Sequence, residues 1–286
     1  MIAARFGLHL VLMLLFGIAA YPFHAGRRQA APRRVMIALA AGGVAASIAA
    51  FTLSVAAMGG TTLSGIDPAT ARMILFETPP GTAFALRTGA LALLAALVTA
   101  GRGGAAAWAL CAGAALSTLA WSGHAAATEG VAGTVHRMSD SLHLLAAGGW
   151  IGALAMLLAA LFRPASRGDA ALDALSAFSG AGTALVAIVA VTGAVNLWLI
   201  ASGSDGVALP AGEYARLLVA KLGLFAGMLA FAALNRWRLV PRLAAAATPV
   251  ARTRALRTLR SAIAVEAAAG VAILALVAML GMGDPH

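Results

Sequence analysis

Ser139-Asp140-Ser141-Leu142-His143-Leu144-Leu145-Ala146-Ala147-Gly148-Gly149-Trp150-Ile151-Gly152-Ala153-Leu154-Ala155-Met156-Leu157-Leu158-Ala159-Ala160-Leu161-Phe162 is the stretch that decides the fold. After His143 it holds only apolar and small residues, and a helix needs about 20 of these to cross a bilayer. Similar runs recur along the chain. They predict helices near 6–24, 35–58, 82–100, 105–124, 140–162, 175–201, 214–238 and 259–281. Turn chemistry separates them, as at Pro79-Pro80-Gly81 and Gly101-Arg102-Gly103-Gly104. The expected fold is all-α: a polytopic membrane helix bundle of about eight transmembrane helices, forming one integral membrane domain over 1–286.

Composition agrees. Of 286 residues, 62% are hydrophobic and 10% charged, with a mean hydropathy of +0.92. An ordinary soluble domain carries about 25% charged residues, so a soluble globular enzyme is excluded, and so is a disordered chain. The lone cysteine, Cys111, rules out an intrachain disulfide and any cysteine-built zinc or iron–sulfur centre. There is no P-loop, Rossmann fingerprint, HExxH or GxSxG motif, so the expectation is no enzyme and no ATP-driven pump in this chain alone.

The net charge of +10 is assigned to a membrane face, not to nucleic acid, because the basic residues fall in alternate connections. Arg27, Arg28, Arg33 and Arg34 follow the first helix, Arg102 the third, and Arg163 and Arg167 the fifth. Arg236, Arg238, Arg242, Arg252, Arg254, Arg257 and Arg260 surround the last such connection. The positive-inside rule then puts these loops in the cytoplasm and both termini in the periplasm. The four arginines after helix 1 also argue that this helix is retained, not cleaved as a signal peptide. Asp67-Pro68 reads as the start of a short helix in an outer loop spanning 59–81. Residues 125–139 read as another outer loop, and 241–258 as a basic stretch near anionic headgroups.

Ionisable residues inside a membrane are the informative ones. Asp140, His143, Ala147 and Trp150 fall on one helical stripe, as do Ser117, Trp121 and His124 on the preceding helix. If those helices are antiparallel neighbours, His124 and His143 face each other below the outer surface, with Asp140 as a supporting partner. His136, Met138 and His9 fall toward the same face. Imidazole suits copper, zinc, iron and nickel, and thioether favours Cu(I). The same two histidines could alternatively be axial ligands of haem in a b-type membrane cytochrome. A metal-independent scaffold is a third reading. Asn196, Lys221 and Glu266 are buried polar candidates for a relay or gate, with interhelical hydrogen bonding as the plainer role. Lys221 and Glu266 are expected at different depths. Trp150 is expected inside the bundle, and Gly148-x-x-x-Gly152 and Gly223-x-x-x-Gly227 at close helix contacts.

The segment Ser139 to Gly152 resembles the His-x6-Trp-x-Gly signature of the copper resistance D (CopD/PcoD) family, carried here by His143, Trp150 and Gly152. Ser122-Gly123-His124-Ala125 matches that family's Gly-His-Ala element. Thr192-Gly193 with Asn196, the run Tyr214 to Pro241 and Glu266 extend the likeness over about 120–286. The resemblance implies a multi-pass protein of the bacterial inner membrane that moves copper, of unspecified valence, and often works with a periplasmic CopC-type carrier. That carrier would be a separate chain.

Overall fold

The computed structural model describes residues 1–25, 32–122, 130–162, 168–203, 206–207 and 212–283. Its main helices are α1 (Ile2–Ala20), α2 (Pro22–Ala25), α3 (Arg33–Met58), α4 (Pro68–Glu77), α5 (Pro79–Thr99) and α6 (Gly104–Ser117). They are followed by α7 (Gly130–Leu161), α8 (Gly168–Ala201), α9 (Gly212–Leu234), α10 (Val240–Ala244) and α11 (Pro249–Leu280). A π-helical turn, Asn235–Leu239, joins α9 to α10. The strands Ser202–Gly203 and Gly206–Val207 form a minimal antiparallel hairpin after α8. Among the described residues eight helices are long and apolar enough to cross a membrane.

All eight expected spans are present, but two begin much earlier than hydropathy indicates. The 125–139 stretch is not simply a loop, because α7 starts at Gly130 and carries His136 and Met138 as helical residues. Likewise α11 begins at Pro249, capped by Thr248, whose hydroxyl accepts from Ala251 N at 3.2 Å. A hydropathy window registers only the lipid-facing part of a helix. At 1.5 Å per residue a 32-residue helix is about 48 Å long, longer than the roughly 30 Å hydrocarbon layer. The polar turns at its start stay helical because no breaker interrupts them.

Outside the spans, α4 forms as Asp67-Pro68 indicates. The Asp67 carboxylate accepts from Thr70 N (2.9 Å) and Thr70 Oγ1 (2.8 Å). Those bonds hold its pKa below the ordinary carboxylate value. The cap is therefore fully present above the unfolded-state pKa and is lost as pH falls through the lower folded one.

Two apolar clusters hold the bundle. Leu8, Leu12, Leu15, Leu91, Leu94 and Leu116 pack α1, α5 and α6 together. Trp150, Leu157, Met228, Leu239, Leu259 and Ile263 pack α7, α9 and α11. Helix α7 belongs to both, since its Leu144 sits in the first cluster. It meets α1 at a crossing made of glycines. A Cβ built on Gly17 would lie 2.7 Å from Gly152 Cα and closer still to Gly148 O. Gly148-x-x-x-Gly152 thus serves the close approach the sequence predicts. Gly223-x-x-x-Gly227 does not: a Cβ built on either glycine would meet nothing within 4 Å from another element among the described residues, so that pair makes no tight crossing there.

Arg87, midway along α5, is a buried cation. It is 4% exposed and donates to Ser47 Oγ (3.0 Å) and Thr118 Oγ1 (3.3 Å). Both hydroxyls donate in turn to their own helix, to Gly43 O and Ala115 O, each at 2.7 Å. Removing the guanidinium therefore leaves no donor without an acceptor. Arg87→Met is expected to change unfolding free energy by no more than about 1 kcal/mol, measured by thermal melting in detergent.

Candidate functional site

Helices α1, α7, α8, α9 and α11 enclose a cavity of about 470 Å³ toward the end of the bundle that carries residue 1 and residue 283. Its polar lining includes His9, His136, Asp140, His143, Asn196 and Lys221. The stripe Asp140, His143, Ala147 and Trp150 lies along one wall, as its three-and-four spacing predicts.

His143 is held in one orientation. Its Nδ1 lies 3.0 Å from Thr192 Oγ1. The Thr192 hydroxyl commits its own hydrogen to Ile188 O, so it accepts from Nδ1–H. With the proton on Nδ1, Nε2 carries the lone pair and makes no hydrogen bond among the described residues, the state in which imidazole binds a metal. Gly193 admits the ring: a Cβ there would stand 3.4 Å from His143 Cε1. His9 follows the same logic. Its Nδ1 donates to Arg5 O at 2.8 Å, since a carbonyl can only accept, and again Nε2 keeps the lone pair. His136 is 2% exposed and hydrogen-bonded or otherwise engaged.

Asp140 accepts from Asn196 Nδ2 at 3.3 Å, tying α7 to α8, while Asn196 Oδ1 is buried without a partner among the described residues. Lys221 enters the cavity from α9. Arg5 enters from α1 and lies over Gly281, where a Cβ would come within 2.8 Å of its Cζ. That places its charge at the C-terminal end of α11, where the helix dipole favours a cation.

Glu266 lies apart from the cavity lining. It is 3% exposed and accepts from Trp150 Nε1 and Asn235 Nδ2, both at 2.9 Å. Trp150 lines the cavity with its ring and bonds to Glu266 with its nitrogen, so one side chain separates the two. Lys221 and Glu266 are not partners, in keeping with their different depths. Asn235 sits at the first position of the π turn, where the widened helix turns it inward.

The structure therefore brings His9, His136, Asp140 and His143 to one cavity, with Asn196 and Lys221. Met138 is 63% exposed and is not part of the lining. His124, expected opposite His143, lies outside the described residues. So the His124–His143 pair, for copper or for haem, has no geometry here. Among the described residues no group of three His, Cys, Asp or Glu side chains is close enough to hold a metal ion. Thr192 and Arg5 O, which orient the two imidazoles, were not legible as such. Only the Thr192-Gly193 element of the family likeness pointed to that position.

Fold and site together define a polytopic helical membrane protein with an imidazole-bearing cavity at one end. Residues 1–134 match the family model described as copper resistance protein D-like, N-terminal domain, and residues 172–280 match that of copper resistance protein D. A curated relative, copper resistance protein D from Pseudomonas syringae pv. tomato, is 34% identical over 304 residues, covering 100% of this chain and 96% of that one. No solved structure matches the chain. The chain belongs to the copper resistance protein D family.

Proposed function

We propose that this protein moves copper ions inward across the bacterial inner membrane, with the cavity as the periplasmic entrance. The observation that carries the reading is the convergence of His9, His136, His143 and Asp140 on a single cavity. Two of those imidazoles have Nδ1 tied to an oxygen and Nε2 open. His143 Nε2 is the principal ligand, with His9, His136 and His124 as further candidates and Asp140 as a supporting carboxylate. Met138, exposed on α7, is a poor ligand in this arrangement. A bare cation cannot cross hydrocarbon without successive partners. Asn196 and Lys221 supply further polar groups within the entrance, and the Trp150–Glu266 link lies beyond it. A CopC-type periplasmic carrier, as a separate chain, would deliver the ion.

The test is intracellular copper accumulation in cells expressing wild type or His143→Ala at matched membrane levels. Uptake is expected to fall by about tenfold or more, the scale on which metal-site residues act. Equal uptake in the two strains would reject the entrance.

A further inference from the structure

The described lining of the cavity holds more cations than acids, an unfavourable balance for a bare copper ion. Among the described residues its lining carries the cations Arg5 and Lys221 against the single acid Asp140. Asp140 attracts Lys221 across the cavity and Arg5 lies over the C-terminal end of α11, so among the described residues one acid side chain faces two cations. The histidines that line it with fixed tautomers, His9 and His143, are neutral donors to a metal and add no negative charge. Three further observations point the same way. The described residues offer no cluster of three metal-ligating side chains, so the protein's coordination shell there is incomplete. The volume of about 470 Å³ is that of a small-molecule site and far exceeds one ion. Much of the wall is apolar, including Phe225, Leu218 and Ile273, as in pockets that hold organic ligands.

We propose that copper enters this cavity as a small anionic carboxylate complex that brings part of its own coordination shell. Arg5 and Lys221 take the carboxylates, for which guanidinium and ammonium groups are the natural partners. His143 Nε2 completes the metal's shell. Binding involves no redox step: one carboxylate or water leaves copper as the imidazole nitrogen joins it. The inference rests on the copper reading above and names the form of the cargo.

The experiment uses the full chain in bilayer discs of zwitterionic lipid, with cupric citrate labelled separately on metal and carbon. Wild type is expected to retain both labels in equal stoichiometry. Lys221→Met is expected to weaken both about tenfold or more, while Lys221→Arg, which keeps the charge, retains them. His143→Ala should lose copper preferentially. Thermal melting of each variant separates loss of binding from loss of fold. Retention of copper without citrate overturns the anionic-complex proposal and leaves the copper reading standing. Citrate retained equally with and without copper, and insensitive to His143→Ala, overturns the copper reading and leaves an anion site. Loss of citrate binding on adding an anionic phospholipid, with copper binding unchanged, shows the basic groups serve lipid and also overturns the proposal.

Discussion

Gly17→Leu is expected to abolish recoverable folded protein. The atoms a Cβ at Gly17 would strike are main chain: Gly148 O, Gly152 Cα and Gly152 N, the last two at 2.7 and 2.9 Å. A flexible side chain could swing aside, but a helix backbone cannot. Even a methyl group forces α1 away from α7, and leucine adds three more carbons. Overpacking usually costs about 1–3 kcal/mol when neighbours yield. Here the displaced element is α1, which carries Leu8, Leu12 and Leu15 in the first apolar cluster. The loss should therefore exceed about 3 kcal/mol and consume much of the 5–15 kcal/mol typical of a folded protein. Size-exclusion of a fluorescent fusion in mild detergent measures it, with Gly42→Leu as control. Among the described residues a Cβ at Gly42 meets only Val11 Cγ1, at 3.8 Å, so that variant should behave as wild type. A monodisperse Gly17→Leu with unchanged melting would mean α1 and α7 do not cross there.

Glu266→Ala is the second large effect. The carboxylate is the acceptor for both the Trp150 indole N–H and the Asn235 amide, and all three side chains are buried. Its removal orphans two donors in a low-dielectric interior, at about 1–3 kcal/mol each. Interhelical hydrogen bonds in membranes measure lower, because the loosened state finds other partners. The expected net loss is about 2–4 kcal/mol. Glu266→Gln keeps one acceptor oxygen but turns an amide toward a donor, so it should lose roughly half as much. Thermal melting of the two variants beside wild type gives the comparison. Identical melting of Glu266→Ala and wild type would remove the triad from any account of stability.

How far such features can be read from sequence depends on the range of the interaction. Spans are legible because lipid imposes one requirement on every residue of a run, so Ser139 to Phe162 announces its helix. The stripe from Asp140 to Trp150 is legible because helical spacing is local. Helix starts at Gly130 and Pro249 are not legible because polarity there reflects exit from the hydrocarbon, not the end of the helix. Contacts between distant segments leave little local trace. Nothing near Gly17 states that Gly148 and Gly152 will lie against it, and nothing near Arg87 names Ser47 and Thr118. The same holds for Lys221, whose place beside the histidines depends on how α9 docks.

The wide turn from Asn235 to Leu239 has a consequence for reading relatives of this chain. An extra residue in one helical turn offsets the phase of every side chain beyond it by about 100°. Asn235 meets Glu266 on one side of that offset, and Leu239 and Leu243 reach the interior on the other. A relative one residue shorter at this point could not keep both halves in phase. A gap of that length would mark a rebuilt carboxylate environment, not a neutral slip in alignment.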